Sequence, residues 1–418
     1  MASKIINWID QRFPLSSFVK HDLTEYPTPR NLSYWWNFGF LAGFVLVLQV
    51  ATGIFLAMHY KADVSLSFDS IQHIMRDVNY GWLLRFMHAT GASAFFLVIY
   101  IHMARTLYYG SYRAPRELMW WTGQGLLLML MATAFMGYLL PWGQMSFWGA
   151  TVITNLFRAT PFFGDQVVVW LRGDFGVGDA TLTRFFSLHY LLPFLIIGGV
   201  MVHLVALHTV KSSNPSGIDL AAKDNIPFHP YFTSKDFYGL GVFLIVYCIF
   251  VFFLPNSLME PANNIPANPM RTPTHIVPEW YFLPFYAILR SVPNLVGGVV
   301  AMGLSVMVFS FMPYLDRSRI PGGAQYRPWY RAMFYLFVAD MLVLGYVGFV
   351  PPSDQSIMMG KIATIIYFAQ FALLPVLSKM EEKWLIKRGL PPEVQALIAG
   401  EAREKGKLPQ RRRSGDIK

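Results

Sequence analysis

The sequence predicts an all-α, polytopic membrane protein with eight transmembrane helices. Of its 418 residues, 54% are apolar and only 14% are charged, whereas about a quarter of the residues in soluble domains are charged. A spanning helix needs ~20 consecutive, mostly apolar residues. Eight stretches meet that requirement, at about 34–58, 86–104, 118–140, 186–207, 237–254, 293–313, 332–350 and 357–378. The even number places both termini on one side of the membrane.

The distribution of Lys and Arg predicts that both termini are cytoplasmic. With the N-terminus inside, the inner segments hold 25 basic residues and the outer loops hold eight, and cytoplasmic loops are the ones enriched in Lys and Arg. The net charge is +10, and a basic tail at 379–418 supplies much of it. Such a tail suits a surface of anionic membrane lipids. No nucleic-acid partner is expected, because nothing aromatic or folded accompanies the charge.

The chain divides into five predicted regions. An amphipathic inner-surface segment, a four-helix bundle, an inner linker, a C-terminal four-helix region and a basic cytoplasmic tail occupy residues 1–33, 34–209, 210–236, 237–378 and 379–418. Outer connections at 143–185 and 255–292 are long and apolar, so we expect both to fold back against the membrane. The single cysteine, Cys248, cannot form an internal disulfide, an iron–sulfur site or a c-type haem attachment. Any such cofactor must therefore belong to another chain.

Two spans each contain a pair of histidines with the same spacing. His88 and His102 in the second span, and His189 and His203 in the fourth, are fourteen residues apart. Fourteen residues of helix rise ~21 Å and complete close to four turns, so both histidines of a pair leave one helix face at opposite depths. Both spans run from outside to inside, so His88 pairs with His189 near the outer surface and His102 with His203 near the inner surface. Because two axial imidazoles suit an electron-transfer haem, we expect a di-haem four-helix bundle with two non-covalent, bis-histidine b haems.

Glycines follow the same spacing in the first and third spans. Gly53 and Gly137 fall at the outer level, and Gly39 and Gly123 at the inner level. A glycine inside a helix costs ~1 kcal/mol relative to alanine, and close approach of the edge of a macrocycle would explain these four. Helix packing is the usual reason for one glycine pair alone.

Two arginines accompany the histidines of the second span. Arg85 precedes His88 by three residues, and Arg105 follows His102 by three. Both lie on the water side of the ligand, where haem propionates would need cationic partners. An arginine that extends from a helix end to the interface is the structural alternative.

The histidine pattern and two long motifs resemble cytochrome b of the respiratory cytochrome bc complex (complex III). The motifs are LPWGQMSFWGATVITN at 140–155 and PEWYFLPFYAILRS at 278–291, and the resemblance covers about residues 30 to 380. It implies the electron-transfer subunit of a ubiquinol:cytochrome c oxidoreductase, in a homodimer with a Rieske iron–sulfur protein and a membrane-anchored c-type cytochrome. It also implies a Q cycle: quinol is oxidised outside, electrons cross through the b haems to reduce quinone inside, and protons are translocated.

The resemblance places the quinol-oxidation site on the outer side. Glu279 is the implied catalytic carboxylate, and Tyr138, Gly149, Pro278 and Tyr281 would line its cavity. A carboxylate in a mostly apolar pocket has a raised proton affinity and can accept a proton from quinol. The structural alternatives are a loop carboxylate bonded to nearby backbone and, for Gly149, helix packing.

The resemblance places the quinone-reduction site on the inner side. His208 lies five residues past the last haem ligand, some 140° around the helix, so it cannot share the haem face. With Asp236 it could deliver protons to quinone, and Ser212 and Lys235 are the implied neighbours. Lys211 departs from the family pattern, since relatives often have glycine there.

Two other classes of protein stay open from the residues alone. A transporter or channel could use buried histidines as a proton relay, but it would bind no haem and scatter its histidines. A di-haem membrane anchor of a dehydrogenase or hydrogenase would lack the PEWY loop and would not need eight spans. The basic tail favours a bacterial inner membrane over the mitochondrial one. Asp340 is unexpected in lipid and is left without a role.

Overall fold

A computed structural model describes residues 2–218, 224–390, 392 and 394–395. The features predicted at 219–223 and in most of the basic tail therefore lie outside the described residues. The α-helices are α1 (Ala2–Asp10), α2 (Leu15–Phe18), α3 (Phe38–Ala57), α4 (Ser67–Arg76), α5 (Gly81–Tyr109), α6 (Glu117–Leu139), α7 (Gln144–Leu156), α8 (Gly164–Arg172), α9 (Asp179–Val210), α10 (Phe228–Phe252), α11 (Leu283–Ser291), α12 (Leu295–Met307), α13 (Met312–Leu315), α14 (Pro328–Phe349) and α15 (Asp354–Arg388). Strands β1 (Pro27–Pro29) and β2 (Asn225–Pro227) form an antiparallel pair.

The prediction of eight spans is confirmed. The described residues contain eight helices long and apolar enough to cross a membrane: Tyr34–Ala57, Gly81–Tyr109, Glu117–Leu139, Asp179–Val210, Phe228–Phe252, Leu295–Leu315, Pro328–Phe349 and Asp354–Arg388. The fifth begins at Phe228 instead of near residue 237, and the eighth continues to Arg388 instead of ending near 378. Hydropathy reports only the part of a helix that lipid surrounds, so polar turns that extend beyond it are missed.

The first four spans form a bundle around one apolar core. Helix α3 packs along α5, α6 packs along α9, and α3 also contacts α9. The buried residues of this core are Val45, Leu46, Phe95, Phe96, Leu127, Leu130, Ile196 and Tyr281. Tyr281 comes from the outer loop after α10, so the core of the bundle also holds part of the C-terminal half in place.

The C-terminal half packs α11, α12, α14 and α15 together. Its core includes Leu107, Tyr112 and Trp120 from the bundle, and the Trp120 indole Nε1 donates to the carbonyl of Phe309 at 2.6 Å. Helix α10 packs against α5 and α3. The two halves therefore share their interior along α5.

A buried charge cluster joins the two halves at the end of the membrane that holds the C-terminus of α15. Asp316 accepts hydrogen bonds from Arg327 Nη1 at 2.7 Å, Arg113 Nε at 3.0 Å and Tyr112 Oη at 2.8 Å, and Arg327 also pairs with Glu381 at 3.1 Å. Burial alone would raise the pKa of Asp316, but Arg113 and Arg327 lower this pKa below its usual value of 3.8. The stability from this carboxylate is therefore present above pH 3.8 and is lost as the pH falls through the lowered folded-state pKa.

Asp316→Asn should destabilise the protein far more than the same change in an exposed ion pair. The variant removes the carboxylate that both arginines share and leaves the buried Arg327 with Glu381 as its remaining anion; breaking a buried ion pair in this way costs about 3–5 kcal/mol. Asp165→Asn is the matched control, because Asp165 pairs with Arg158 at 3.1 Å with 81% of its side chain exposed, and such a pair contributes under about 1 kcal/mol. Reversible unfolding in detergent measures both free energies. Equal losses would contradict a stabilising role for the cluster.

Candidate functional site

The outer histidines face each other across the bundle. The ring centres of His88 on α5 and His189 on α9 lie 6.2 Å apart, and the ring planes are at 80°. Two imidazoles on opposite sides of one metal ion, each with a metal–nitrogen bond of about 2 Å, have ring centres roughly 6 Å apart. The observed separation therefore fits a single haem iron between the two rings.

Hydrogen bonds at Nδ1 turn the other ring nitrogen of these histidines toward the gap. His189 Nδ1 lies 2.8 Å from the carbonyl oxygen of Thr133, and a carbonyl can only accept, so His189 donates from Nδ1 and keeps Nε2 unprotonated. His88 Nδ1 lies 2.9 Å from Thr52 Oγ1. Metal-binding histidines commonly use one nitrogen for such a bond and the other for the metal.

The inner histidines, His102 and His203, lie on the same two helices as the outer pair, fourteen residues further along α5 and α9. His203 Nδ1 is 2.9 Å from Thr122 Oγ1, which repeats the arrangement at His88. Arg105 lies beside His102, with Nη2 at 3.4 Å from Nδ1, and its guanidinium is 5.0 Å from the centre of the Trp36 ring.

Several buried polar atoms beside the inner histidines have no hydrogen-bond partner among the described residues. Those that can donate a hydrogen bond are Ser33 Oγ, Trp36 Nε1 and Arg105 Nε. Buried polar groups are normally paired, so this set fits the anionic propionates of a haem. The described part of the chain has no group of three or more His, Cys, Asp or Glu residues that could hold a bare metal ion. A porphyrin supplies four nitrogens of its own, so two histidines are enough.

Each of the four spaced glycines lies against one of the four histidines. A Cβ added to Gly53, Gly123 or Gly39 would lie 3.1, 3.3 or 3.4 Å from Cε1 of His88, His203 or His102, and a Cβ on Gly137 would collide with Cε1 of His189. We expected the edge of a macrocycle at these positions. That expectation stays a prediction; the structure shows an imidazole ring beside each glycine, so the glycines also set how closely α3 packs on α5 and α6 packs on α9.

A cavity opens between the outer histidines and the outer loops. Six of its lining residues are Arg85, His88, Tyr138, His189, Glu279 and Tyr281. Burial raises the pKa of Glu279 to about 7, although the hydrogen bond from Tyr138 and the charge of Arg85 oppose the shift. The cavity thus places a proton-accepting carboxyl group beside the outer histidine pair. Gly149 and Pro278 are not among its lining residues.

Aromatic packing on α5 holds the loop that carries Glu279. The ring of Tyr281 stacks on that of Phe96, with ring centres 3.9 Å apart and planes at 5°. The Tyr100 hydroxyl donates to the carbonyl of Tyr281 at 2.6 Å, and Trp280 Nε1 lies 3.2 Å from Ser93 Oγ. These contacts fix Glu279 over the bundle without using its carboxyl group.

The predicted inner-site residues lie near the end of α9 and the beginning of α10. Asp236 is 4% exposed, and its Oδ1 has no hydrogen-bond partner among the described residues. Lys235 Nζ donates to the carbonyl of Leu32 at 2.8 Å, so this ammonium group anchors the N-terminal segment to α10. Ser212 Oγ donates to the carbonyl of Ser213 at 2.9 Å.

Tyr26 is a residue of this region that sequence reasoning missed. Its ring stacks on that of His208, with centres 4.6 Å apart and planes at 23°. Tyr26 precedes β1, and the pairing of Pro27 with Pro227 holds it over the end of α9. A lone tyrosine outside any regular element gives no periodic signal, so only the pairing of two distant segments could have identified it.

The comparisons with known proteins agree with this architecture. Residues 23–211 match the family model described as cytochrome b/b6/petB, and residues 266–368 match the one described as cytochrome b (C-terminal)/b6/petD. The chain is 54% identical to cytochrome b of Rhodospirillum rubrum, over 96% of this chain and 98% of that relative. It is 57% identical to cytochrome b of Rickettsia bellii, over 91% and 95%, and 53% identical to that of Marchantia polymorpha, over 92% and 95%. A solved structure described as a hyperthermophilic respiratory Complex III superposes with a TM-score of 0.86 at 36% identity, covering 91% of this chain and all of the matched chain.

Gly137→Ala should displace the His189 ring and perturb whatever the outer histidine pair binds. The added methyl group would overlap Cε1 of His189. Gly125→Ala is the matched control on the same helix, because no atom lies within 4 Å of its added Cβ. Haem content and the visible spectrum of the purified chain report the effect. Equal haem content and unchanged spectra in both variants would contradict the proposed glycine–imidazole contact.

Proposed function

The chain belongs to the cytochrome b family of respiratory cytochrome bc complexes, and we propose that it oxidises quinol at an outer site and reduces quinone at an inner site. Members of this family bind haem b and form the core of a quinol:cytochrome c oxidoreductase, so the chain is a multi-pass membrane protein of the respiratory chain. One observation carries the proposal: a single cavity is lined by both the His88/His189 pair and Glu279.

We assign one haem b to His88 and His189 and a second to His102 and His203. Arg85 and Arg105 stand beside these pairs as partners for propionates. When bound, the haems would supply one-electron carriers between the outer and inner quinone sites. Two observations support this assignment: the ring centres of the outer pair are 6.2 Å apart, and buried donors beside the inner pair have no hydrogen-bond partner among the described residues.

At the outer site, Glu279 is the proton acceptor. Quinol loses two protons and two electrons as it becomes quinone: the carboxylate takes one proton, the other passes to water on the outer side, and the electrons leave one at a time to one-electron acceptors. A pKa of about 7 suits this task, because a general base works best when its pKa is near the working pH. The Tyr138 hydroxyl, hydrogen-bonded to Glu279, orients the carboxylate toward the cavity, and Tyr281 holds the loop. We propose that Gly149 and Pro278 contribute to the shape of the site indirectly, through the residues that line it.

At the inner site, His208 and Asp236 supply the two protons that quinone takes up. Tyr26 covers one face of the His208 imidazole and keeps its orientation. Burial raises the pKa of Tyr26, so its hydroxyl stays protonated and can donate to a quinone oxygen. Ser212 and Lys235 act by shaping this pocket and holding the N-terminal segment over it.

We also propose an orientation of the chain in the membrane and the other subunits with which it assembles. With both termini in the bacterial cytoplasm, protons enter at the inner site and leave at the outer site. Moving one elementary charge across the membrane stores ~2.3 kcal/mol per 100 mV. A Rieske iron–sulfur protein would accept one electron from each quinol, a membrane-anchored c-type cytochrome would take it onward, and the complex would be a homodimer.

Glu279→Gln should slow quinol oxidation by roughly 10²-fold, the usual contribution of a positioned base. In the wild type, the rate should rise as the pH increases through about 7, because the carboxylate form of Glu279 is then populated. The variant should lose that rise and keep both haem signals. Glu25→Gln is the control, since Glu25 is an exposed carboxylate paired with Lys20 at 3.6 Å. A variant with the wild-type rate and pH profile would exclude Glu279 as the base.

His203→Leu should remove the inner haem and leave the outer haem reducible by quinol. The change removes one of the two histidines that would hold the inner haem and leaves the outer pair intact. A pyridine haemochrome assay counts haem per chain, and His73→Leu, at an exposed histidine of α4, controls for loss of an imidazole elsewhere. Retention of both haems in His203→Leu would refute the pairing of ligands by depth.

A further inference from the structure

We propose that Tyr247 is a positioning residue for the outer haem site and acts, together with Gln49, on the backbone of α5 at His88. The proposal rests on the ligation of a haem by His88 and His189. It concerns the position of the turn of α5 that carries His88. Side chains from two other helices, α3 and α10, hold this turn.

Tyr247 and Gln49 bind two consecutive carbonyl groups of α5. The Tyr247 hydroxyl, from α10, donates to the carbonyl of Met87 at 2.5 Å, and Gln49 Nε2, from α3, donates to the carbonyl of His88 at 3.1 Å. Within an α-helix these carbonyls already accept from the amides of Gly91 and Ala92, four residues on. The extra donors therefore are not needed to satisfy the backbone, and their effect is to fix the turn that carries His88.

Gly91 leaves the room that both side chains occupy. A Cβ at Gly91 would collide with Gln49 Oε1 and would lie 3.4 Å from the Tyr247 hydroxyl oxygen. Tyr247 is only 5% exposed, and its ring stacks on Phe243 with centres 5.7 Å apart. The hydroxyl is thus held at the carbonyl of Met87 by packing on its own helix.

The inner histidine of the same helix is held differently. Thr52, on α3, holds the ring of His88 at 2.9 Å, so both the ring and the carbonyl of His88 have partners outside α5. At His102, the ring contact from Arg105 at 3.4 Å and the carbonyl contact from Thr106 at 3.0 Å both come from α5 itself. The outer ligand therefore depends on α10, the first helix of the C-terminal half, through a contact that has no counterpart at His102 in the described part of the chain.

Tyr247→Phe in the intact complex tests the proposal, because it removes the hydroxyl and keeps the aromatic ring. We expect the midpoint potential and the low-spin electron paramagnetic resonance signal of the outer haem to shift, while those of the inner haem stay unchanged. Backbone amides at 91–92 should exchange with deuterium roughly fivefold faster, which corresponds to the loss of about one hydrogen bond. Tyr346→Phe, at a tyrosine of α14 with 59% exposure, is the control and should change neither measurement.

Each other outcome overturns the proposal. Equal shifts of both haems would mean a general change in the fold, and faster exchange without a shift of the outer haem would mean that Tyr247 stabilises α5 without positioning the ligand. No change in either measurement would mean that the contact has no effect. A separate His88→Leu variant distinguishes the underlying assignment: if it retains both haems, ligation by His88 is wrong, whatever Tyr247 does.

Discussion

The contact between imidazole rings and glycines sets the spacing of the first four membrane helices, and the remaining architecture depends on that spacing. Each of the four glycines on α3 and α6 faces a histidine on α5 or α9. A larger residue would push the helices apart. The histidines of α5 would then no longer face those of α9 across the bundle. Because Nδ1 of three histidines is bonded to a threonine of the adjacent helix, ring orientation and helix separation are fixed by the same contacts.

The C-terminal half depends on this bundle and completes its outer end. Tyr281 packs into the core of the bundle and carries the loop with Glu279 to the outer cavity. At the opposite end, the Asp316 cluster attaches the loop after α5 to the segment before α14 and to the end of α15. Helix α5 therefore serves both halves, since it presents two histidines on one side and accepts aromatic and polar contacts from the C-terminal half elsewhere.

Much of this organisation could be predicted because it is local along the chain. Helical periodicity relates residues fourteen apart, so the spacing of His88 and His102 predicts one face and two depths without knowledge of the partner helix. The beginning of α10 and the end of α15 could not be predicted, because hydropathy does not detect polar helical turns that extend beyond the lipid. Tyr26 and Tyr247 were missed for another reason: each acts on a residue far away in sequence, and nothing in its own neighbourhood distinguishes it from any other tyrosine. The contact of the Lys235 ammonium group with the carbonyl of Leu32 could not be predicted either, because it depends on where the N-terminal segment folds back.

The pairing of β1 with β2 constrains the order in which the chain matures during synthesis. Pro29 pairs with Asn225, a residue that the ribosome adds nearly two hundred steps later. Domains generally fold as units while synthesis proceeds from the N-terminus, so the first four helices can enter the bilayer while the leading segment is still unattached. The contact between β1 and β2 at this end of the bundle can therefore form only after the segment that leads into the fifth membrane helix has been synthesised.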